Sequence, residues 1–158
     1  MFFKFKYGIR SFYNVLTENE RLTLLEESKP QLKEISKLHP GLQTEANFHL
    51  ILCQKGLFYL IQKILKKSKV NGNISACWVN YTDENLKYTC WHNHQNIKNS
   101  LVFFIENPDN VGTIFRINGK EIQIKAPTNS MITFSSNIEH TVPYNITKPR
   151  YSLVIDLI

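Results

Sequence analysis

From residue 70 onward the chain sustains no helical stripe. It breaks into eight short segments rich in β-branched and aromatic residues: SACWVNY, LKYTCWH, SLVFFIE, GTIFRI, KEIQIK, SMITFSS, IEHTVPY and RYSLVIDL. Turn chemistry separates them, in NGN, TDEN, NPDN, NGK and APTN. Asn118-Gly119 is the strongest of these signals, because a two-residue hairpin turn needs φ above zero at both central positions. Eight strands of this length, punctuated in this way, predict an antiparallel sandwich or barrel.

Up to about residue 69 the periodicity is helical instead. Thr17 and Glu20 have the spacing of a capping box ahead of RLTLLEES, and Ser28-Lys29-Pro30 predicts a second helix with Leu32, Ile35 and Leu38 on one stripe, ended by HPGL at 39–42. Thr44 is expected to cap a longer stretch in which Phe48, Ile51, Leu52, Leu57, Leu60, Ile61, Ile64 and Leu65 recur at three- and four-residue steps, with Gly56 as a break. A length of 158 residues suits one hydrophobic core. The expected organisation is therefore α+β: a single domain over 1–158, with a helical buttress at 1–69 on one face of a jelly-roll core of about eight antiparallel strands at 70–158.

Charge and cysteine content narrow the setting. The formal charge of +6 is spread over helical segments, with Lys63, Lys66, Lys67 and Lys69 at the tail of one of them. No clustered arginine or RNA-type motif accompanies it, so it reads as a solvated face, and a nucleic-acid partner is not favoured. Cys53, Cys77 and Cys90 form an odd set without a CxxC pair, which favours free thiols in a reducing cytoplasm. No apolar run is long enough to span a bilayer, and MFFKFKYGIRSFY is too interrupted by charge for a signal peptide. Oligomeric state leaves no mark on the sequence.

His92 and His94 alternate in CWHNH just before SLVFFIE. On a strand they would point to one side and could share an ion, although an alternating pair also suits a plain surface strand. His140, 46 residues after His94, adds a third imidazole from a strand expected to return across the same interior. Two imidazoles from one strand and a third from another leave coordination positions open, which suits Fe(II) better than structural zinc. A turn centred near Asn145 would make His140 and Arg150 hairpin partners, carrying Arg150 and then Ser152 into the barrel beside the metal. A buried arginine needs an anion, and its planar fork matches a carboxylate. Cys90 lies on the same strand face as the two histidines but reads as a buried thiol, while His39 and His49 read as structural.

Taken together, WHNHQNIKNSLVFFI and HTVPYNITKPRYSLVID resemble the 2-oxoglutarate- and Fe(II)-dependent oxygenases, in particular the small prolyl-hydroxylase-like oxygenases of bacteria and phages. The similarity runs through roughly residues 74–158, and HPGLQTEANFH is similar to a stretch such proteins often carry before the barrel. The resemblance implies a double-stranded β-helix of cupin-like type. It also implies iron held by His92, His94 and His140, 2-oxoglutarate gripped by Arg150 with Ser152 in support, and Asn80 as a further cosubstrate contact. The implied activity is a dioxygenase consuming O2 and 2-oxoglutarate while oxidising a prime substrate that the sequence does not identify.

Two departures accompany the resemblance. Most of the superfamily has a carboxylate where this chain has His94, so three neutral imidazoles would leave the ion its full double charge. Phe104 stands where many relatives have a tyrosine that reaches the cosubstrate, leaving Tyr81, Tyr88 or Tyr144 to replace its hydrogen bond. Two other readings follow from the same residues: a tri-histidine cupin-type metal enzyme that does not use 2-oxoglutarate, and a non-catalytic β-domain of the same fold.

Overall fold

In the computed structural model, which describes residues 4–6, 8–34, 41–85 and 90–158, the side chains of central strands divide between two cores. β5 (Asn99–Glu106) shows the division most plainly. Leu101, Phe103 and Ile105 project into one cluster and Val102 and Phe104 into the other, as the period of two requires. A strand covered on both faces reads as a continuous apolar run, which is how SLVFFIE is written.

The other strands are β1 (Lys4–Lys6), β2 (Ile9–Tyr13), β3 (Leu42–Gln43), β4 (Ile74–Thr82), β6 (Val111–Ile117), β7 (Lys120–Lys125), β8 (Ser130–Ser135), β9 (His140–Thr141) and β10 (Arg150–Leu157). One antiparallel sheet runs β1-β2-β8-β5-β10-β4-β3, and a smaller one runs β7-β6-β9. Phe115 of the small sheet packs edge-on against Phe134 of the large one, with ring centroids 4.8 Å apart, and the inner core lies between them. On the outer face of the large sheet lie α1 (Glu18–Ser28), α2 (Phe48–Gln54) and α3 (Phe58–Ser68). Leu24, Phe48, Leu52, Leu60 and Ile64 of these helices join Leu153 and Ile155 of β10 in the larger core. This is a helix-covered jelly roll, as the change of periodicity predicts.

Several local predictions correspond to what forms. Thr17 and Glu20 close the capping box in both directions. Asn118 and Gly119 both have positive φ in the turn joining β6 to β7. Gly56, at φ +71°, separates α2 from α3.

Others need correcting. The helical reading of the first 69 residues misses β1, β2 and β3. β1 and β2 pair with Lys6 opposite Ile9, and β2 then adds to β8, extending the large sheet. The helix expected after Pro30 is a single 3-10 turn at Lys29–Gln31. Leu32 is extended, and Lys33 exchanges two backbone hydrogen bonds with Gln43, a pairing that a continuing helix would forgo. Ile35, Leu38 and His39 lie outside the described residues. Thr44 caps no helix: its hydroxyl accepts the Val79 amide at 3.0 Å, fastening the approach to α2 onto β4.

The expected hairpin between His140 and Arg150 does not form either. β9 pairs with β6, and β10 pairs with β4 and β5 in the other sheet. Pro143 and Pro149 lack the amides that a ladder across this turn would use. Asp109 instead accepts the amides of Thr147 and Lys148, at 2.7 and 2.9 Å. The segment is thus a crossover between sheets.

Gly112 fixes how closely β7 approaches β6 beside the cavity-lining Thr113. A Cβ there would lie 2.4 Å from the Ile124 carbonyl oxygen and 2.8 Å from the Ala126 methyl. Gly112→Ala is expected to destabilise the protein by about 1–3 kcal/mol through overpacking, seen as a lower urea midpoint with unchanged slope.

Candidate metal centre and anion site

The HxH segment is held by two different neighbours. His92 exchanges backbone hydrogen bonds with His140, at 3.0 and 2.9 Å, whereas the His94 amide donates to the Ser136 carbonyl at 2.9 Å. The partner changes between the two histidines, and His92 forms an isolated bridge with His140; residues 86–89 of the strand predicted for LKYTCWH lie outside the described set. The alternation survives nonetheless. The His92 and His94 rings stack at 5.3 Å between centroids, and His140 lies 4.4 and 5.1 Å from them.

Each ring is oriented by what its Nδ1 meets. His92 Nδ1 donates to the Cys90 carbonyl at 3.0 Å, and His140 Nδ1 donates to the Ile138 carbonyl at 2.8 Å. His94 Nδ1 lies 2.8 Å from the Asp156 carboxylate. Carbonyl and carboxylate oxygens only accept, so each Nδ1 carries a proton, and Nε2 is the nitrogen left to ligate an ion. One candidate ligand nitrogen from each histidine lies within 4.8 Å of the others. Burial, against Phe134 and Phe115, pushes His140 down to about 3, so it is neutral throughout the physiological range. The donor set suits a borderline divalent ion such as Fe(II). The Cys90 thiol is outside this group, and Cys90 contributes its carbonyl, which also accepts from the Thr141 hydroxyl at 3.0 Å.

Arg150 enters the same cavity from the opposing sheet. It is 3% exposed, its guanidinium lies over the Phe104 ring at 5.1 Å, and among the described residues no carboxylate pairs with it. Its Nε has no hydrogen-bond partner, nor does the buried hydroxyl of Thr82, its cross-strand neighbour. Burial holds Arg150 below the usual arginine range, at about 10, which leaves it charged at neutral pH. A buried cation beside unsatisfied polar atoms is an environment shaped for an anion.

Ser152 follows Arg150 on the cavity face, with Phe104 beside it on β5 and Asn80 beside it on β4. Asn80, Ser152 and Arg150 therefore line one wall, and His92, His94 and His140 another, of a cavity of about 70 Å³ that Trp78, Val102 and Val154 also line. Neither described tyrosine replaces the hydroxyl missing at Phe104. Tyr81 faces the opposite side, bonded to Asp83 and packed on Tyr151, and Tyr144 is exposed. Tyr88 is outside the described residues. His49 sits on α2, away from the cavity.

Sequence reasoning missed Asp156 and Ser100, whose hydroxyl donates to it at 2.6 Å. The signal was present, since Asp156 interrupts LVIDL in phase with Arg150 and Ser152.

No protein-family model matches the chain, and no curated protein matches it in sequence. Solved structures do. A 2OG-Fe(II) oxygenase family oxidoreductase from Burkholderia pseudomallei superposes with a TM-score of 0.72 at 13% identity, over 96% of this chain and 85% of that one. The chain has the 2-oxoglutarate/Fe(II) oxygenase fold. Other neighbours with the oxygenase fold include a prolyl-4-hydroxylase from Pseudomonas putida, at TM-score 0.64 and 13% identity over 95% of this chain and 91% of that one. A Trichoplax adhaerens prolyl hydroxylase, solved with a hypoxia-inducible-factor peptide, matches at TM-score 0.64 and 11% identity over 96% and 83%. Within the oxygenase fold, this chain brings three imidazoles and one unpaired arginine into a single cavity.

An unpaired buried charge has a measurable consequence. Arg150→Met keeps the bulk and removes the charge, and is expected to stabilise the ligand-free protein by about 1 kcal/mol or more in urea unfolding.

Proposed function

We propose that the protein is a 2-oxoglutarate- and Fe(II)-dependent dioxygenase, a hydroxylase that couples oxidative decarboxylation of 2-oxoglutarate to oxidation of a second substrate. The observation that carries this reading is Arg150, a buried guanidinium with no carboxylate partner among the described residues, in the cavity that holds the three imidazoles. A dicarboxylate answers both ends of such a cavity, one carboxylate at the arginine and the other at the ion.

His92, His94 and His140 would hold the ion by Nε2. Iron held there would supply the activation of O2, one oxygen atom going to 2-oxoglutarate as it loses CO2 and becomes succinate and the other to the second substrate. Arg150 would grip the distal carboxylate bidentately, with the Ser152 hydroxyl and the Asn80 amide orienting it. Val102, Val154 and Phe134 give the cavity an apolar lining beside the two groups. No side chain is asked to act as a general base. Cys53, Cys77 and Cys90 are free thiols, which suits the cytoplasm, and no helix among the described residues is long and apolar enough to cross a membrane.

One observation favours a second reading. The ligand set contains no carboxylate, as in a tri-histidine cupin-type enzyme, where Arg150 would hold the carboxylate of the substrate itself.

Anaerobic titration of the metal-free protein with Fe(II) and 2-oxoglutarate separates the two. The oxygenase reading expects a visible metal-to-ligand charge-transfer band, absent in His140→Ala, with 2-oxoglutarate affinity at least tenfold weaker in Arg150→Met. Iron binding without the band would favour the cupin-type reading, and failure to bind iron would leave the non-catalytic β-domain.

A further inference from the structure

The three imidazoles are not oriented alike. His92 and His140 each turn Nδ1 onto a main-chain carbonyl two residues earlier, at Cys90 and Ile138. His94 reaches across the fold to a side chain, the carboxylate of Asp156, at 2.8 Å. Asp156 is 5% exposed and is carried on the cavity face of β10. Its cross-strand neighbour Ser100 donates a hydroxyl hydrogen bond to it at 2.6 Å, and Ser136 in turn lies 2.9 Å from the Ser100 hydroxyl. Among the described residues no lysine or arginine pairs with this carboxylate.

A carboxylate buried without a cation is unfavourable unless its hydrogen bonds and a nearby positive charge compensate it. Here Ser100 and His94 supply the hydrogen bonds. One nitrogen of His94 lies within 4.8 Å of a nitrogen of each of the other two histidines, and with Nδ1 engaged by Asp156 the nitrogen left for an ion is Nε2. We infer that Asp156 is a positioning residue for the metal centre: it fixes the His94 ring with Nε2 inward and places a negative charge behind a ligand set that carries none. A carboxylate acceptor on the far side of a ligating imidazole also raises the basicity of the ligating nitrogen. The charge absent from the ligands is thus supplied one residue further out. This inference rests on the metal-centre reading above and does not depend on the identity of the cosubstrate.

Co(II) titration of the metal-free protein provides the test, because its ligand-field bands report the donor set without turnover. Asp156→Ala should weaken Co(II) binding by about 10–100-fold and shift the bands. Asp156→Asn, which keeps an acceptor oxygen without the charge, should fall between Asp156→Ala and the wild type. A folded Asp156→Ala variant with wild-type affinity and bands would overturn the inference. Should the variants not fold, long-range nitrogen–proton NMR of the wild type decides instead: His94 is expected as the Nδ1-protonated tautomer, and an Nε2-protonated ring refutes the assignment. Wild-type protein that binds no Co(II) defeats the metal centre and the role of Asp156 together. Wild-type protein that binds Co(II) but not 2-oxoglutarate defeats only the cosubstrate reading, and the Asp156 variants still decide their own question.

Discussion

β10 has both edges and both faces committed, and the rest of the molecule is arranged around that fact. β4 and β5 take its two edges, and Leu153, Ile155 and Leu157 lock its outer face into the helix-covered core. The side-chain period of two then turns Arg150, Ser152, Val154 and Asp156 to the inner side of the sheet, where the first three line the cavity and Asp156 meets His94. A slip of one residue would drive Arg150 and Asp156 into the apolar cluster and expose the leucines to the polar wall. Register and chemistry are fixed by the same apolar residues.

That arrangement gives the inner face of β10 two electrostatic ends. Arg150 and Asp156 are six residues apart on one strand, about 20 Å at about 3.3 Å per residue. At one end a guanidinium lacks a carboxylate partner among the described residues; near the other, a carboxylate backs one imidazole of the three-histidine group. A cation and a dicarboxylate bound together would compensate both ends, whereas either alone would leave one of them uncompensated. The apolar wall between them, with Val102, Val154 and Phe134, keeps the local dielectric low and makes these charges matter.

Much of this was legible in the chain. Alternation and turn chemistry mark most of the strands, Asn118-Gly119 marks a hairpin, and HxH with a distant His140 marks the cluster, since each depends on local spacing. What depends on which sheet receives a strand was not legible. His140 and Arg150 look like hairpin partners by symmetry about Asn145, yet they belong to different sheets, and Pro143 and Pro149 were the only local hints. The N-terminal hairpin was hidden for a related reason. A short, charge-interrupted segment becomes a strand because β8 offers it an edge, not because of its own periodicity. Asp156 escaped notice because a motif-based reading stops at Arg150 and Ser152, although the same two-residue step leads to it.

The three orienting acceptors also differ in what mutation can do to them. Those of His92 and His140 are peptide carbonyls, present whatever side chain occupies Cys90 or Ile138. That of His94 is a side chain, changed by one codon. Substitution at 90 or 138 therefore leaves those two rings their acceptors, whereas substitution at 156 would reset the orientation and charge behind the third without touching any histidine.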